Sequence, residues 1–193
     1  SAEGVGNIWY LQVDWDVYGD HYTYVQEAIN AAFSGDVIEV AAGTYSENLN
    51  VGASLTLEGA QAGVDARGRS GCESIVSASS GDLVYIHASG VTFDGFELVG
   101  AGCSKLAMVD SGHNLFFGNN ILGGSSGSGL YFGSTSTSAT IHQNEFNGGS
   151  FSSDGLFFDG GSDTYTDLTI SNNDIFDAGI FAGGKIYGST GVE

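Results

Sequence analysis

Apolar and polar residues alternate along most of the chain in short runs, and the runs repeat. Four stretches align: Val91 to Leu98, Leu115 to Leu122, Ala139 to Phe146 and Leu168 to Ile175. Their apolar positions Phe93, Phe117, Ile141 and Ile170 recur at steps of 24, 24 and 29 residues. A second apolar column holds Leu98, Leu122, Phe146 and Ile175, and between the two runs Phe96, Asn120, Asn144 and Asn173. A third short run follows each: Leu106-Ala107-Met108, Leu130-Tyr131-Phe132, Leu156-Phe157-Phe158 and Lys185-Ile186-Tyr187. Alternation over three to eight residues predicts strands rather than helices. Self-similarity at this period predicts a solenoid, each coil stacking its inward side chains on the next about 4.8 Å away. The fold expected is therefore all-β: a right-handed parallel β-helix, a three-sheet solenoid of about six coils.

The Asn column fits a tight bend, where Asn tolerates left-handed dihedrals and its amide can bond up and down the stack. The longest coil predicts an outward loop over 148–165, and such loops often bind ligands. Upstream, 37–40, 48–51, 55–57, 74–76 and 83–86 continue the strands, with a long excursion at 59–73. Residues 23–33 read as a helix: Val25, Ala28, Ile29 and Ala32 share a face, and Thr23 with Gln26 predicts a capping box. One domain over 1–193 follows, with an N-terminal capping helix inside a cap of 1–36 and coils over 37–193. The segment at 8–13 alternates like a strand and joins the cap. No capping element is read over Gly183 to Glu193: either the chain is trimmed there, or the open end meets another molecule, as in end-to-end stacking into a homo-oligomer.

Composition sharpens the picture. There are 32 Gly and no Pro, which suits many tight turns in an ordered repeat. Asp and Glu number 23 against four Lys and Arg, a formal net charge of -19. Such a surface repels nucleic acid and anionic lipid, so neither is an expected partner. High salt or divalent cations would make it tolerable. No apolar run approaches a membrane span of about 20 residues. Cys72 and Cys103 are the only cysteines; two thiols and one disulfide both stay open.

The tract from Tyr24 to Ala32, the run from Gly35 to Leu49, the segment Ser54 to Ala60 and the Asn ladder together resemble the pectin-lyase-like superfamily of parallel β-helices. The resemblance covers nearly the whole chain. It implies the fold, but the superfamily spans lyases, esterases, epimerases, hydrolases and non-catalytic surface modules. Gly43-x-Tyr45-x-Glu47 is similar to the first signature of pectin methylesterases, but the other signatures are missing, and the short motif reads as the structural start of the first coil. In the lyases of the superfamily, calcium and an Arg base act together on one sheet. Here the only arginines, Arg67 and Arg69, lie in the 59–73 excursion, where Asp65 and Glu73 are their nearest expected partners.

Alternation places Thr56 and Glu58, Thr92 and Asp94, Phe116 and Gly118, Thr140 and His142, and Thr169 and Ser171 outward on the first sheet. Asp94 and His142 then stand two coils apart, about 10 Å, enough to flank a sugar. With Phe116 they are candidate ligand-binding residues, joined by Phe151 and Tyr165 as sugar platforms on the expected outward loop. A Thr column on a flat face also resembles ice-binding proteins, but Phe116 breaks it. For calcium, the candidates are Asp14, Asp16 and Asp20, and Asp154, Asp159, Asp163 and Asp167, which place hard oxygens on Gly-rich loops. No catalytic constellation is complete. The expectation is a secreted or cell-surface β-helix module that binds or scaffolds polysaccharide or cell-surface glycan, non-catalytic, with Ca2+ as cofactor. The competing class is part of a calcium-dependent polysaccharide lyase, epimerase or esterase.

Overall fold

The computed structural model describes residues 8–11, 22–110, 113–134, 136–147, 154–160, 164–176, 179–183 and 185–187. Strand β1 (Ile8–Leu11) and helix α1 (Val25–Ala31) come first. The first coils comprise β2 (Val37–Val40), β3 (Gly43–Ser46), β4 (Leu49–Val51), β5 (Thr56–Glu58), β6 (Ser74–Ala78) and β7 (Asp82–Ile86). Then follow β8 (Thr92–Asp94), the long β9 (Phe96–Val109), β10 (Phe116–Gly118), the long β11 (Ile121–Phe132) and β12 (Ser136–Thr137). The last coils give β13 (Thr140–His142), β14 (Glu145–Asn147), β15 (Leu156–Phe158) and β16 (Thr164–Thr166). They end with β17 (Thr169–Ser171), β18 (Asp174–Phe176), β19 (Ile180–Ala182) and β20 (Lys185–Tyr187).

All strand pairs are parallel. Sheet A runs β1-β2-β5-β8-β10-β13-β17, so the N-terminal strand is its first member. Sheet B has two arms: β3, β6, β14 and β18 lie on one, β4, β7, β15 and β19 on the other. The long strands β9 and β11 run through both arms. Their register shifts at Gly102 of β9, which is skipped between the Ala101–Ser125 and Cys103–Ser126 pairs and whose φ of 108° only glycine adopts without strain. A short sheet C, β12-β16-β20, closes the later coils.

The predicted columns stand in register. Ile38, Leu57, Phe93, Phe117, Ile141 and Ile170 stack through sheet A, all buried. Phe93 and Phe117 stack at 5.6 Å, and Phe132 on Phe158 at 4.9 Å. At the corner after sheet A the Asn ladder forms. Asn120, Asn144 and Asn173 accept from the N–H groups of Phe96, Asn120 and Asn144 at 2.9–3.0 Å. Their amides donate to the carbonyls of Phe93, Phe117 and Ile141.

Several expectations need correction. The left-handed residues of that corner are Gly95, Asn119, Gln143 and Asn172, each one place before the ladder residue. The ladder Asn are thus selected for hydrogen bonding, not for dihedral freedom. The third run is out by one at 106–108: Ala107, Met108 and Val109 pair with Leu130, Tyr131 and Phe132. Leu106 and Ala107 are both buried, which breaks the alternation there. Lys185–Tyr187 belongs to sheet C, and β19 takes its expected place beside β15. The Thr23–Gln26 capping box does not form. Instead the Glu47 carboxylate accepts from the N–H groups of Val25 and Gln26 at 2.9 and 3.0 Å. The Gln26 side chain bonds both the N–H and the C=O of Asn50, serving β4 as a strand neighbour would. Both cysteines are free thiols, Cys72 exposed and Cys103 buried.

Candidate functional site

Three of the predicted site residues meet on the outer face of sheet A. Because side chains alternate along each strand, two outward rows result. One row holds Thr56, Thr92, Phe116, Thr140 and Thr169; the other, beside the ladder corner, holds Glu39, Glu58, Asp94, Gly118, His142 and Ser171. A Cβ at Gly118 would lie 2.4 Å from Cε1 and Cζ of Phe116. The Phe116 ring therefore folds into the space that any other residue at 118 would fill. It sits between Asp94 and His142, one coil from each.

The flanking groups are held. Asn119 Nδ2 donates to Asp94 Oδ1 at 2.7 Å, and the Gly63 N–H to Asp94 Oδ2 at 3.0 Å. Burial nonetheless pushes the Asp94 carboxyl up, outweighing those donors and the charges of Arg69 and His142. Glu58 is raised too, by burial first and then by the carboxylates of Glu39 and Asp94 on either side. His142 Nδ1 pairs with Ser171 Oγ at 2.8 Å. An apolar ring between a carboxyl and an imidazole offers both the CH-face contact and the hydroxyl partners that a sugar uses.

The remaining candidates are scattered or differently employed. Tyr165 is a correction: β16 turns it inward, and it is fully buried between Phe132 and Phe158 with its hydroxyl on the Phe132 carbonyl. The stretch at 164–166 is thus a strand of sheet C rather than part of an outward loop. Phe151, Asp14, Asp16, Asp20 and Asp163 lie outside the described residues. Asp159 accepts from the Tyr131 hydroxyl at 2.7 Å and from the Gly160 N–H, which hold its carboxyl below the usual range. Asp167 has a φ of 54° at the turn into β17, the position filled by Gly90, Asn114 and Ser138 in earlier coils. Asp tolerates that conformation, which accounts for it without a ligand. Asp154 lies beside Gly179. Among the described residues no three acidic, His or Cys side chains form a metal-sized group.

Both arginines pair as expected, Arg67 with Asp65 and Arg69 with Glu73. Neither stands on a strand. The Gly43-x-Tyr45-x-Glu47 motif is structural: Tyr45 is buried with its hydroxyl on the Ala41 carbonyl, and Glu47 caps α1. Sequence reading overlooked one aromatic feature, the outward column Tyr85, Met108, Tyr131 and Phe157 on sheet B. The central positions of Leu130-Tyr131-Phe132 and Leu156-Phe157-Phe158 could have revealed it. Its rings are already used, however. Tyr131 lies between Phe157, at 4.8 Å and 8°, and the Lys105 ammonium, at 4.7 Å. Both faces of the Tyr131 ring are thus covered, and that ring offers no open platform.

Continuous parallel sheets around one core define the class, a β-solenoid with a decorated flat face. The profile of the right-handed β-helix region matches residues 43–193. The chain belongs to the right-handed β-helix family. Comparison with curated proteins and with solved structures finds no match. Among the described residues no helix is long and apolar enough to cross a membrane.

Proposed function

We propose that this chain is a secreted or cell-surface β-helix module that binds glycan on the outer face of sheet A without transforming it. The observation that carries the reading is the Phe116 ring seated over Gly118 between Asp94 and His142. The Thr residues of its own row add hydroxyls at the coil spacing, suited to a ligand that is itself a repeat. With a net charge of -19, a neutral or amino-bearing polysaccharide is favoured over a uronate at low salt. Absence of turnover is inferred from the partners: Asp94 has both oxygens bonded, and both arginines are paired away from the strands. Calcium held by the acidic residues of 14–20 and 154–167 is a further part of the proposal. A fall in melting temperature with chelator supports it, since a ligand held only by the folded state must stabilise that state.

The test is retention on immobilised neutral, amino and uronic polysaccharides, comparing the parent protein with Phe116→Ala. Binding to a neutral or amino polymer that drops at least about tenfold in the variant supports the reading. Equal retention of both proteins overturns the site, and an unsaturated product from a polyuronate overturns the non-catalytic part.

A further inference from the structure

Residues 59–73 form a strap that leaves β5 and crosses three later coils before returning to β6. It runs along the ladder corner, beside the row that holds Asp94, Gly118 and His142. In the first of these coils the Gly59 N–H meets the Asp94 carbonyl at 2.7 Å and the Gly63 N–H meets Asp94 Oδ2 at 3.0 Å. One coil further, Arg69 Nη1 donates to the Asn119 carbonyl at 2.9 Å. In the next coil the Ala66 N–H meets the Gln143 carbonyl, Gln143 Nε2 meets Asp65, and the Gly68 N–H meets Glu145 Oε2 at 2.7 Å. Ser74 ties the two ends, accepting from the Ala60 N–H and donating to the Val40 carbonyl.

Arg69 locks the strap. Its Nε and Nη2 form a two-pronged pair with Glu73 at 3.0 Å, the side chains 5% and 6% exposed, and Nη1 also reaches the Val64 carbonyl. A buried ion pair is poor evidence for stability as such, because desolvation offsets most of its attraction. What it does here is local. Both groups that fix Asp94 depend on the strap: Gly63 belongs to it, and Asn119, in a left-handed turn with φ 53°, is held by Arg69 through its carbonyl. The arrangement also tolerates a defect, since Asn119 Oδ1 is buried with no hydrogen-bond partner among the described residues. A half-buried acid beside Glu58 is itself unfavourable, so structure built to hold it there points to use rather than to folding.

We infer that the 59–73 strap, locked by Arg69, positions the Asp94 carboxyl on the face of sheet A, with Arg69 and Asn119 as positioning residues for the ligand contact. The ligand half rests on the reading above; the positioning half is measured on the protein alone. The experiment follows the Asp94 carboxyl through an acid titration by carbon-13 NMR, assigned with Asp94→Asn, in Arg69→Met, Arg69→Lys and Asn119→Gly. Asn119→Gly keeps the left-handed turn while removing the donor, so it serves if Arg69→Met fails to fold. The expected result is a higher Asp94 midpoint in Arg69→Met and Asn119→Gly, partly restored in Arg69→Lys, with glycan retention falling in the same order. An unchanged midpoint in the folded variants overturns the inference. If the midpoint moves but no polysaccharide binds the parent protein, the positioning stands and the glycan reading falls.

Discussion

The backbone N–H of Asn120 donates to the side-chain carbonyl of Asn144 one coil away, at 3.0 Å, and both residues are fully buried. The same Asn144 side chain donates to the Phe117 carbonyl at 3.0 Å. Each ladder Asn therefore satisfies backbone groups that the tight corner takes out of the strand ladders. Asn144→Ala should strip the Asn120 N–H of its partner and weaken the Phe117 carbonyl's, destabilising the fold by on the order of 3 kcal/mol. Asn147→Ala, at an exposed position of the same coil, should stay within about 0.5 kcal/mol. Urea unfolding of both variants checks this, and equal midpoints would remove the ladder's role.

The cap of α1 comes from the coils rather than from the helix's own sequence. Glu47→Ala removes both acceptors from the Val25 and Gln26 N–H groups. A loss of about 1–2 kcal/mol is expected, in line with other charged caps. Amide hydrogen exchange should speed up over 25–31 while the Phe93 and Phe117 amides stay protected. Uniform acceleration would mean that the helix and coils open as one unit.

Stability should have a maximum in mildly acidic solution. Asp94, Glu58 and Glu97 are pushed up by burial, so the folded state binds protons more readily than the unfolded chain. Their contribution is present below the ordinary carboxyl range and is lost as pH rises through the raised values. Asp159 and Asp65 are held down, by Tyr131 and Arg67 respectively, and contribute the opposite way. That stability is present above the ordinary range and lost as pH falls through the lowered values. Melting temperature should therefore rise on going from about pH 7 to about pH 5 and fall below about pH 4. Glu58→Gln should flatten the upper limb; an upper limb unchanged in that variant would trace it to net charge alone.

Gly118→Ala separates the face from the fold. Its new methyl group would collide with the far end of the Phe116 ring, which can swing away, and with little else closer than 3.4 Å. Gly118 lies outside the left-handed region, so alanine is tolerated by the backbone. Unfolding free energy should change by under about 1 kcal/mol while glycan retention drops as in Phe116→Ala. Retained binding would show that the ring's seat is unimportant.

The coil repeat was legible because inward side chains must recur at each level, which fixed the columns from Phe93 to Ile170 and from Leu98 to Ile175. The face with Asp94, Phe116 and His142 followed from the same alternation. Alternation fails where a strand breaks step, as at Leu106 and Ala107, and where an inserted stretch rejoins a sheet, as at Tyr165. Long-range polar contacts left no local signal. Nothing near Thr23 announces that Glu47 will cap the helix, and nothing near Arg69 announces its grip on Asn119. Nor does the sequence near Asp159 announce the Tyr131 hydroxyl that it accepts from one coil away.

The most direct test of the glycan-binding face is an NMR titration of protein carrying carbon-13-labelled phenylalanine rings with the best-retained polysaccharide fragment. The Phe116 resonance, identified by its loss in Phe116→Ala, should shift with ligand, while those of buried Phe93, Phe117 and Phe146 stay in place. A titration in which Phe116 does not move, or in which only Phe157 on the sheet B column does, would contradict the account.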